Sequence, residues 1–459
     1  MATKLKDGLN EGQGAAYDDI TGWLSDRNSS DIWVLEGYAG TGKTFLLGRI
    51  LRNALMGHPR WRIAITAPTN KAVKVAKRMC NIDDPRVAFV TVHRLLGLKE
   101  KITDDGRQVF ERDTYQMGPG IESYGLVVVD EASMLNDELF KELELHRSYV
   151  KLLFVGDPAQ IPPVGREDSI PFDKGIRKHW RINVAHLSEI MRQAAENPII
   201  AASMQIRDAL TVPTPIHEYK TLVNDGKGLI HFNMNIENER AKVQPLLEQL
   251  FNTSEFKDDP DHAKVVAWRN VTVNSMNNVI RSILYGKDVG KLVVGEKLIA
   301  DKPIQRGVEI LFTTNDEFEV ISYTVKREIF GADDVETELE FYSAMVEKVD
   351  EEGSTRKLIR ILHENSQIQF DRAAEQLKRR AIREKKGSAW RDYYDFIREF
   401  ADVNYNYAIT CHKAQGSTYK NVVIVEDDIE YNRNIVERNR IRYTAYTRPS
   451  QMLYVLKRT

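Results

Sequence analysis

Apolar residues fall into two rhythms along the first 190 positions. Trp33-Val34-Leu35, Ile63-Ala64-Ile65, Leu126 to Val129 and Leu152 to Val155 are short unbroken runs that end near Gly, Pro or Asp. Such runs suit strands covered on both faces of a parallel sheet. Between them, Lys43 to Leu55 and Lys71 to Met79 carry helical spacing. Strand and helix therefore alternate, which predicts a doubly wound α/β domain.

The rhythm breaks at 98–112, where LKEKITDDGRQVFER places two polar-alternating runs around Asp105-Gly106. That dipeptide suits the positive φ angles of a tight turn, so a β-hairpin is expected. Strand-like runs return at Val265 to Trp268, Asn421 to Val425 and Met452 to Val455, with a helix expected from Val273 to Leu284. These make a second α/β domain split by an insertion at about 285–400. Val293 to Ile299, Phe318 to Ile321 and Glu338 to Phe341 read as short strands of a small β-barrel. From Ser366 to Phe400 the insertion turns helical and charged, and KRRAIREKK (378–386) holds six basic residues and one acidic. That run is either a solvated helix face or an arm turned toward nucleic acid.

Composition adds little to this outline. A chain of 459 residues has room for about three domains. Lys plus Arg number 65 against 67 Asp plus Glu, a net charge of -2, so the totals neither announce nor exclude a polyanionic partner. Two cysteines, Cys80 and Cys411, are too few for a disulfide framework and fit a reducing cytoplasm. No run nears 18 apolar residues and the first residues lack a signal peptide's pattern, so a cytoplasmic protein without membrane contact is expected.

Chemistry enters with GYAGTGKT, Gly37 to Thr44, set between a strand and a helix. In a phosphate-binding loop of this form, Gly37, Ala39, Gly40, Thr41 and Gly42 present backbone N–H groups to the phosphates of ATP. Lys43 reaches the β and γ phosphates, and the Thr44 hydroxyl ligates Mg2+. Asp130 and Glu131 end the apolar strand in VVVDEASM (127–134). Alone they would cap a helix; after such a loop, the first suits metal and the second the attacking water. Gln160, in VGDPAQIPPV, stands where an amide can sense the γ-phosphate.

Gln13, GYAGTGKT, TAPTNKA (66–72), DEAS, GDPAQIPPV, LSEIMRQ (187–193), HKAQGST (412–418) and YTAYTRPS (443–450) resemble, in order, the motifs of superfamily 1 helicases. The resemblance spans nearly the whole chain and is strongest to the B subfamily of Dda-like and RecD-like helicases. It implies two RecA-like domains, 1–190 and 191–284 with 401–459. It also implies a strand-splitting pin at 97–115 and, at 285–400, an SH3-like barrel with a helical arm. ATP then lies between the motor domains, with Gln13 reading adenine and Arg192 and Arg448 acting as arginine fingers. Gln415 and Gly416 couple nucleotide to strand. Pro68, Thr69, Asn70, Thr91, His93, His412 and Lys413 match DNA-contacting motifs, and Phe110 matches the aromatic at the fork, unless it packs on its own domain. Trp390, Tyr393 and Tyr394 either dock against the pin or form a helix packing stripe.

The expectation is a monomeric helicase moving 5′ to 3′ on single-stranded DNA, opening a duplex fork in replication, recombination or repair, with single-strand-binding or replisome proteins as possible company. Residue chemistry leaves the opposite polarity, an RNA preference, or a nucleotide-switched clamp open.

Overall fold

The computed structural model describes residues 6–26, 28–29, 31–102, 108–112, 120–191, 197–212, 221–307, 309–332, 334–350 and 353–458, with the backbone alone at 99–102, 108–112 and 350. The first domain is built on β1 (Ile32–Gly37), β2 (Ile63–Ala67), β3 (Val87–Thr91), β6 (Leu126–Val129), β7 (Lys151–Gly156) and β8 (Ile182–Leu187). They lie in the order β3-β2-β6-β7-β1-β8 and every pair is parallel. Alternate residues feed two cores. Leu153 and Val155 pack with Ile20, Leu46 and Ile50 beneath the helices Glu11–Ser25 and Lys43–Gly57. Leu152 and Phe154 join Leu139, Phe140 and Leu143 of Asp137–Glu144 on the opposite face. Burial on both faces is why these strands read as continuous apolar runs.

β4 (Leu98–Ile102) and β5 (Gln108–Arg112) pair antiparallel from Leu98–Arg112 to Ile102–Gln108, as the hairpin expectation requires. The expected turn at Asp105-Gly106 lies outside the described residues.

The second sheet contains β9 (Leu222–Asn224), β10 (Lys227–Asn233), β11 (Ala263–Ala267), β19 (Ala408–Thr410), β20 (Tyr419–Val425) and β21 (Pro449–Lys457) in the order β19-β11-β20-β21-β10-β9. Only β9 runs antiparallel to its neighbour. Lys264 stands in β11 with no exposed surface. Its Nζ donates to the Asn406 backbone carbonyl at 2.6 Å and to Asn406 Oδ1 at 2.9 Å, and burial pulls its pKa down to about 8.

The insertion differs from the short strands expected of it. β15 (Glu317–Ala332) and β16 (Val335–Asp350) are each 16 residues long and pair antiparallel, with β17 (Gly353–Leu362) beyond them. With β12 (Lys297–Ala300) and β18 (Val403–Tyr405) they form a sheet in the order β17-β16-β15-β12-β18. The hairpin β13 (Ile304–Arg306) and β14 (Glu309–Phe312) shares its core through Ile304 and Phe312. Short strands were expected because 322–329 of β15 are exposed on both faces and the charged run Lys326-Arg327-Glu328 interrupts the alternation that begins at Ser322.

Two helices, Gln367–Glu384 and Gly387–Arg398, cap the far end of this ribbon, where Leu377 and Phe396 meet Phe330, Leu339 and Phe341. The basic run 378–386 is not uniformly solvated. Arg380 is 6% exposed and donates to Asp392 Oδ2 at 2.5 Å and to the Ala332 carbonyl at 3.3 Å. The aromatic-bearing helix Gly387–Arg398, with Trp390, Tyr393 and Tyr394 clustered ring to ring, runs beside β4. Among the described residues no helix is long and apolar enough to cross a membrane.

Candidate nucleotide site and interdomain cleft

The loop Gly37 to Thr44 runs from the end of β1 into the helix Lys43–Gly57. Gly40 (φ 81°) and Gly42 (φ 78°) are left-handed, a conformation that other residues adopt at a cost. A Cβ on Gly37 would sit 2.7 Å from Thr41 Oγ1, so the loop also needs the missing side chain there. Lys43 Nζ donates to the Gly37 carbonyl at 2.6 Å and the Tyr38 carbonyl at 3.0 Å, folding its charge over the cradle. Thr44 follows it in the first turn of the helix. The helix N-terminus adds its partial positive charge at the same point.

Asp130 and Glu131 follow β6 directly. Asp130 accepts from the Glu131 N–H at 2.9 Å, and burial, then the Glu131 carboxylate, push its pKa up to about 7. Glu131 itself has φ 50°, a conformation that costs a non-glycine residue about 1–3 kcal/mol and marks sites where geometry is imposed. A carboxylate so reluctant to ionise, close enough to Lys43 to feel its charge, is a fitting ligand for a divalent cation.

Gln13 is fully buried at the start of the helix Glu11–Ser25. Its Oε1 accepts from the Asn10 N–H at 3.2 Å, while Nε2 donates to the Thr41 carbonyl at 2.9 Å and to Met191 Sδ at 3.2 Å. Both ends of the amide are thus engaged, which pins the loop from behind.

The second domain closes the front. Gln415 Nε2 donates to Gln160 Oε1 at 3.3 Å and to the Ile161 carbonyl at 3.1 Å. Gly416 (φ 72°) lies so close that a Cβ would stand 3.1 Å from Ala72 Cβ and 3.6 Å from Glu131 Cγ. Arg448 is 5% exposed and satisfied within its own domain: Nε donates to the Thr444 carbonyl at 2.9 Å and Nη1 to the Ser417 carbonyl at 3.1 Å. Arg192 lies outside the described residues.

The residues expected to touch a strand do not all converge. Thr69, His412 and Lys413 border one small cavity with Gln415. Thr69 Oγ1 accepts from the Ala72 N–H at 3.2 Å and Thr91 Oγ1 from the Arg94 N–H at 3.3 Å, so both hydroxyls cap helices. Pro68 precedes the first cap, and His93 sits just past the second, on the edge-strand side of the sheet. Burial lowers the pKa of both His93 and His412, keeping them neutral near pH 7. Asn70 Nδ2 donates to Thr313 Oγ1 of the insertion, and Lys413 Nζ to Asp301 Oδ1. Phe110 belongs to β5, but its side chain is outside the described residues.

Two contact sets went unread in the sequence. Tyr443, which opens YTAYTRPS, and Asp157, inside GDPAQ, flank the assigned residues of their motifs and form a bridge across the domains. Lys71 joins three parts of the molecule: its Nζ lies 2.9 Å from Asp261 Oδ1 of the second domain and 2.9 Å from Glu317 Oε1 of the insertion.

Burial alone would raise the Glu317 pKa, but the Lys71 and Lys264 charges prevail and hold it at about 2. A carboxylate with a depressed pKa contributes stability above its unfolded value, near 4.5, and loses that contribution as the pH falls toward 2. With about a fifth of the side chain exposed, E317Q is expected to cost ~2 kcal/mol at pH 7. Denaturant melts of both proteins should show this gap narrowing as the pH drops below 4.5. A gap independent of pH would show that the charge is not the source.

The fold and site define a P-loop nucleotide-binding protein of two parallel-sheet domains with its phosphate loop at their junction. Residues 8–221 match the family model described as an AAA domain, and 405–456 that of the UvrD-like helicase C-terminal domain. The chain is 26% identical to uncharacterized protein R530 of Acanthamoeba polyphaga mimivirus, across 93% of this chain and 96% of that protein. It is 24% identical to the ATP-dependent DNA helicase dda of Enterobacteria phage T4, across 96% and 98%. Over 201 residues, 44% of this chain and 24% of its relative, it is 31% identical to the ATP-dependent RecD2 DNA helicase of Deinococcus radiodurans. Across both sheets the chain is thus similar to superfamily 1 helicases of the Dda and RecD kind.

Proposed function

We propose that this protein is a monomeric motor that spends ATP to move 5′ to 3′ along single-stranded DNA and to open the duplex at a fork. Lys43 and Thr44 hold phosphate and Mg2+, Asp130 holds the metal, and Glu131 activates water. Gln160 senses the γ-phosphate, and Arg192 and Arg448 supply positive charge when the domains close. The motor domains in this reading are 1–190 and 191–284 with 401–459, the hairpin 97–115 is the pin, and 285–400 buttresses it.

One observation carries the reading. The groups assigned to hydrolysis stand in direct contact with the second domain, with Gln415 on Gln160 and Gly416 against Glu131. A change at the γ-phosphate therefore moves the neighbouring domain, and that movement displaces residues bordering the cavity of Thr69, His412 and Lys413.

Duplexes carrying either a 5′ or a 3′ single-stranded overhang test the direction. Unwinding is expected only from the 5′ overhang, with ATP hydrolysis stimulated by single-stranded DNA. Unwinding confined to the 3′ overhang overturns the polarity. ATP hydrolysis indifferent to DNA overturns the motor itself and favours a nucleotide-switched clamp.

A further inference from the structure

The helix Ile435–Tyr446 of the second domain reaches the nucleotide site through two consecutive side chains. Tyr443 is 1% exposed, and its hydroxyl donates to Asp157 Oδ2 at 2.6 Å while accepting from the Ala39 N–H of the phosphate loop at 3.1 Å. Thr444 Oγ1 accepts from the Ile161 N–H at 3.2 Å, next to Gln160. Its carbonyl holds Arg448 Nε. Asp157 is fully buried, and its other oxygen accepts from the Ala159 N–H at 2.9 Å, which fixes the turn that carries Gln160. Nearby, the Arg207 guanidinium of the second domain lies 4.1 Å from the centre of the Tyr38 ring, on the same lip of the loop.

We infer that Tyr443 is a positioning residue for ATP hydrolysis: its hydroxyl locks the phosphate loop, the Gln160 turn and the helix end that leads into Arg448 into one register. The inference rests on the motor reading above and deepens it. Three features give it weight. The hydroxyl is used twice, as donor to a carboxylate and as acceptor from the loop, a role that no other hydroxyl takes among the described residues of this junction. Burial, then the Asp157 charge, raises the phenol pKa well above its usual value, so the proton stays on Tyr443 and the direction of donation is set. The contacts on either side, Thr444 with Ile161 and Arg448 with Thr444, belong to the same turn of chain, so a shift at Ala39 is passed to the arginine without a flexible link.

The hydroxyl does not touch the reacting atoms, and its removal should act on turnover more than on binding. Y443F keeps the buried ring and deletes only the oxygen. With saturating single-stranded DNA, kcat for ATP hydrolysis is expected to fall roughly tenfold, the scale of a lost hydrogen bond to a charged group, with KM for ATP within about twofold of the parent. D157N is expected to lower kcat comparably, and the double variant Y443F/D157N to be little worse than either single one, because both changes cut the same bridge. Thermal melts of all three accompany the kinetics, and the non-additivity separates a broken bridge from general loosening, in which the two losses multiply.

A Y443F enzyme with kcat within about twofold of the parent, or losses that multiply in the double variant, overturns the positioning role. A parent protein without DNA-stimulated hydrolysis overturns the motor reading beneath it, and the two failures are told apart by the parent alone.

Discussion

K43A is expected to lower ATP turnover by ~10²–10³-fold, the scale on which removal of one preorganised electrostatic donor is felt at a transition state. Lys43 projects into the loop from the first turn of its own helix, and its ammonium is held by the Gly37 and Tyr38 carbonyls where phosphate oxygens would arrive. Those carbonyls are satisfied by a partly exposed lysine, so its loss removes little packing. The melting temperature should hardly change, which makes the loss of activity specific. Steady-state hydrolysis with and without single-stranded DNA checks it. A K43A protein that still hydrolyses ATP near the parent rate would place the nucleotide elsewhere.

E131Q should separate binding from chemistry. The change keeps the shape of the side chain at a position with φ 50° and 3.6 Å from where a Gly416 Cβ would stand, so the local fold is retained. It removes the group assigned to activate water, and a positioned acid or base contributes about 10²–10⁴-fold, so kcat is expected to fall by that amount. Binding should move the other way. The Glu131 charge is, after burial, what raises the Asp130 pKa to about 7, so its removal lets Asp130 ionise at lower pH.

In the parent, affinity for Mg-ATP is therefore expected to weaken from pH 8 to pH 6 as Asp130 takes up a proton. In E131Q that weakening should shrink. Titrations of a fluorescent ATP analogue at both pH values read the difference directly. An E131Q enzyme with kcat within about tenfold of the parent would remove Glu131 from the chemistry.

Legibility in the sequence followed how local each feature is. The phosphate loop is complete within eight residues, because its donors are consecutive N–H groups and its dipole belongs to the helix that begins at Lys43. Four strands of the first sheet, β1, β2, β6 and β7, were legible because burial on both faces demands unbroken apolar runs, whereas the half-buried β3 and the partly exposed β8 were not. The long ribbon β15–β16 was not legible in full, since much of β15 is exposed on both faces and Lys326-Arg327-Glu328 interrupts its alternation. Motif resemblance named Gln160 and Gln415 separately and was silent on their contact and on the roles of Tyr443 and Lys71. Arg380 shows the converse: a run that reads as solvated charge contains one arginine buried between the helices and the ribbon's end, on Asp392 and the Ala332 carbonyl.

By itself, then, the amino-acid sequence determined the elements that close within a turn or two of chain: the phosphate cradle, the carboxylate pair at a strand end, and the alternation of strand and helix. Only the tertiary structure decided which distant groups share a proton or a charge. Tyr443 meets Asp157 across 286 positions and Lys71 meets Glu317 across 246. Such pairs leave no periodic trace, because a hydrogen bond depends on the distance and angle between two atoms and not on their separation along the chain.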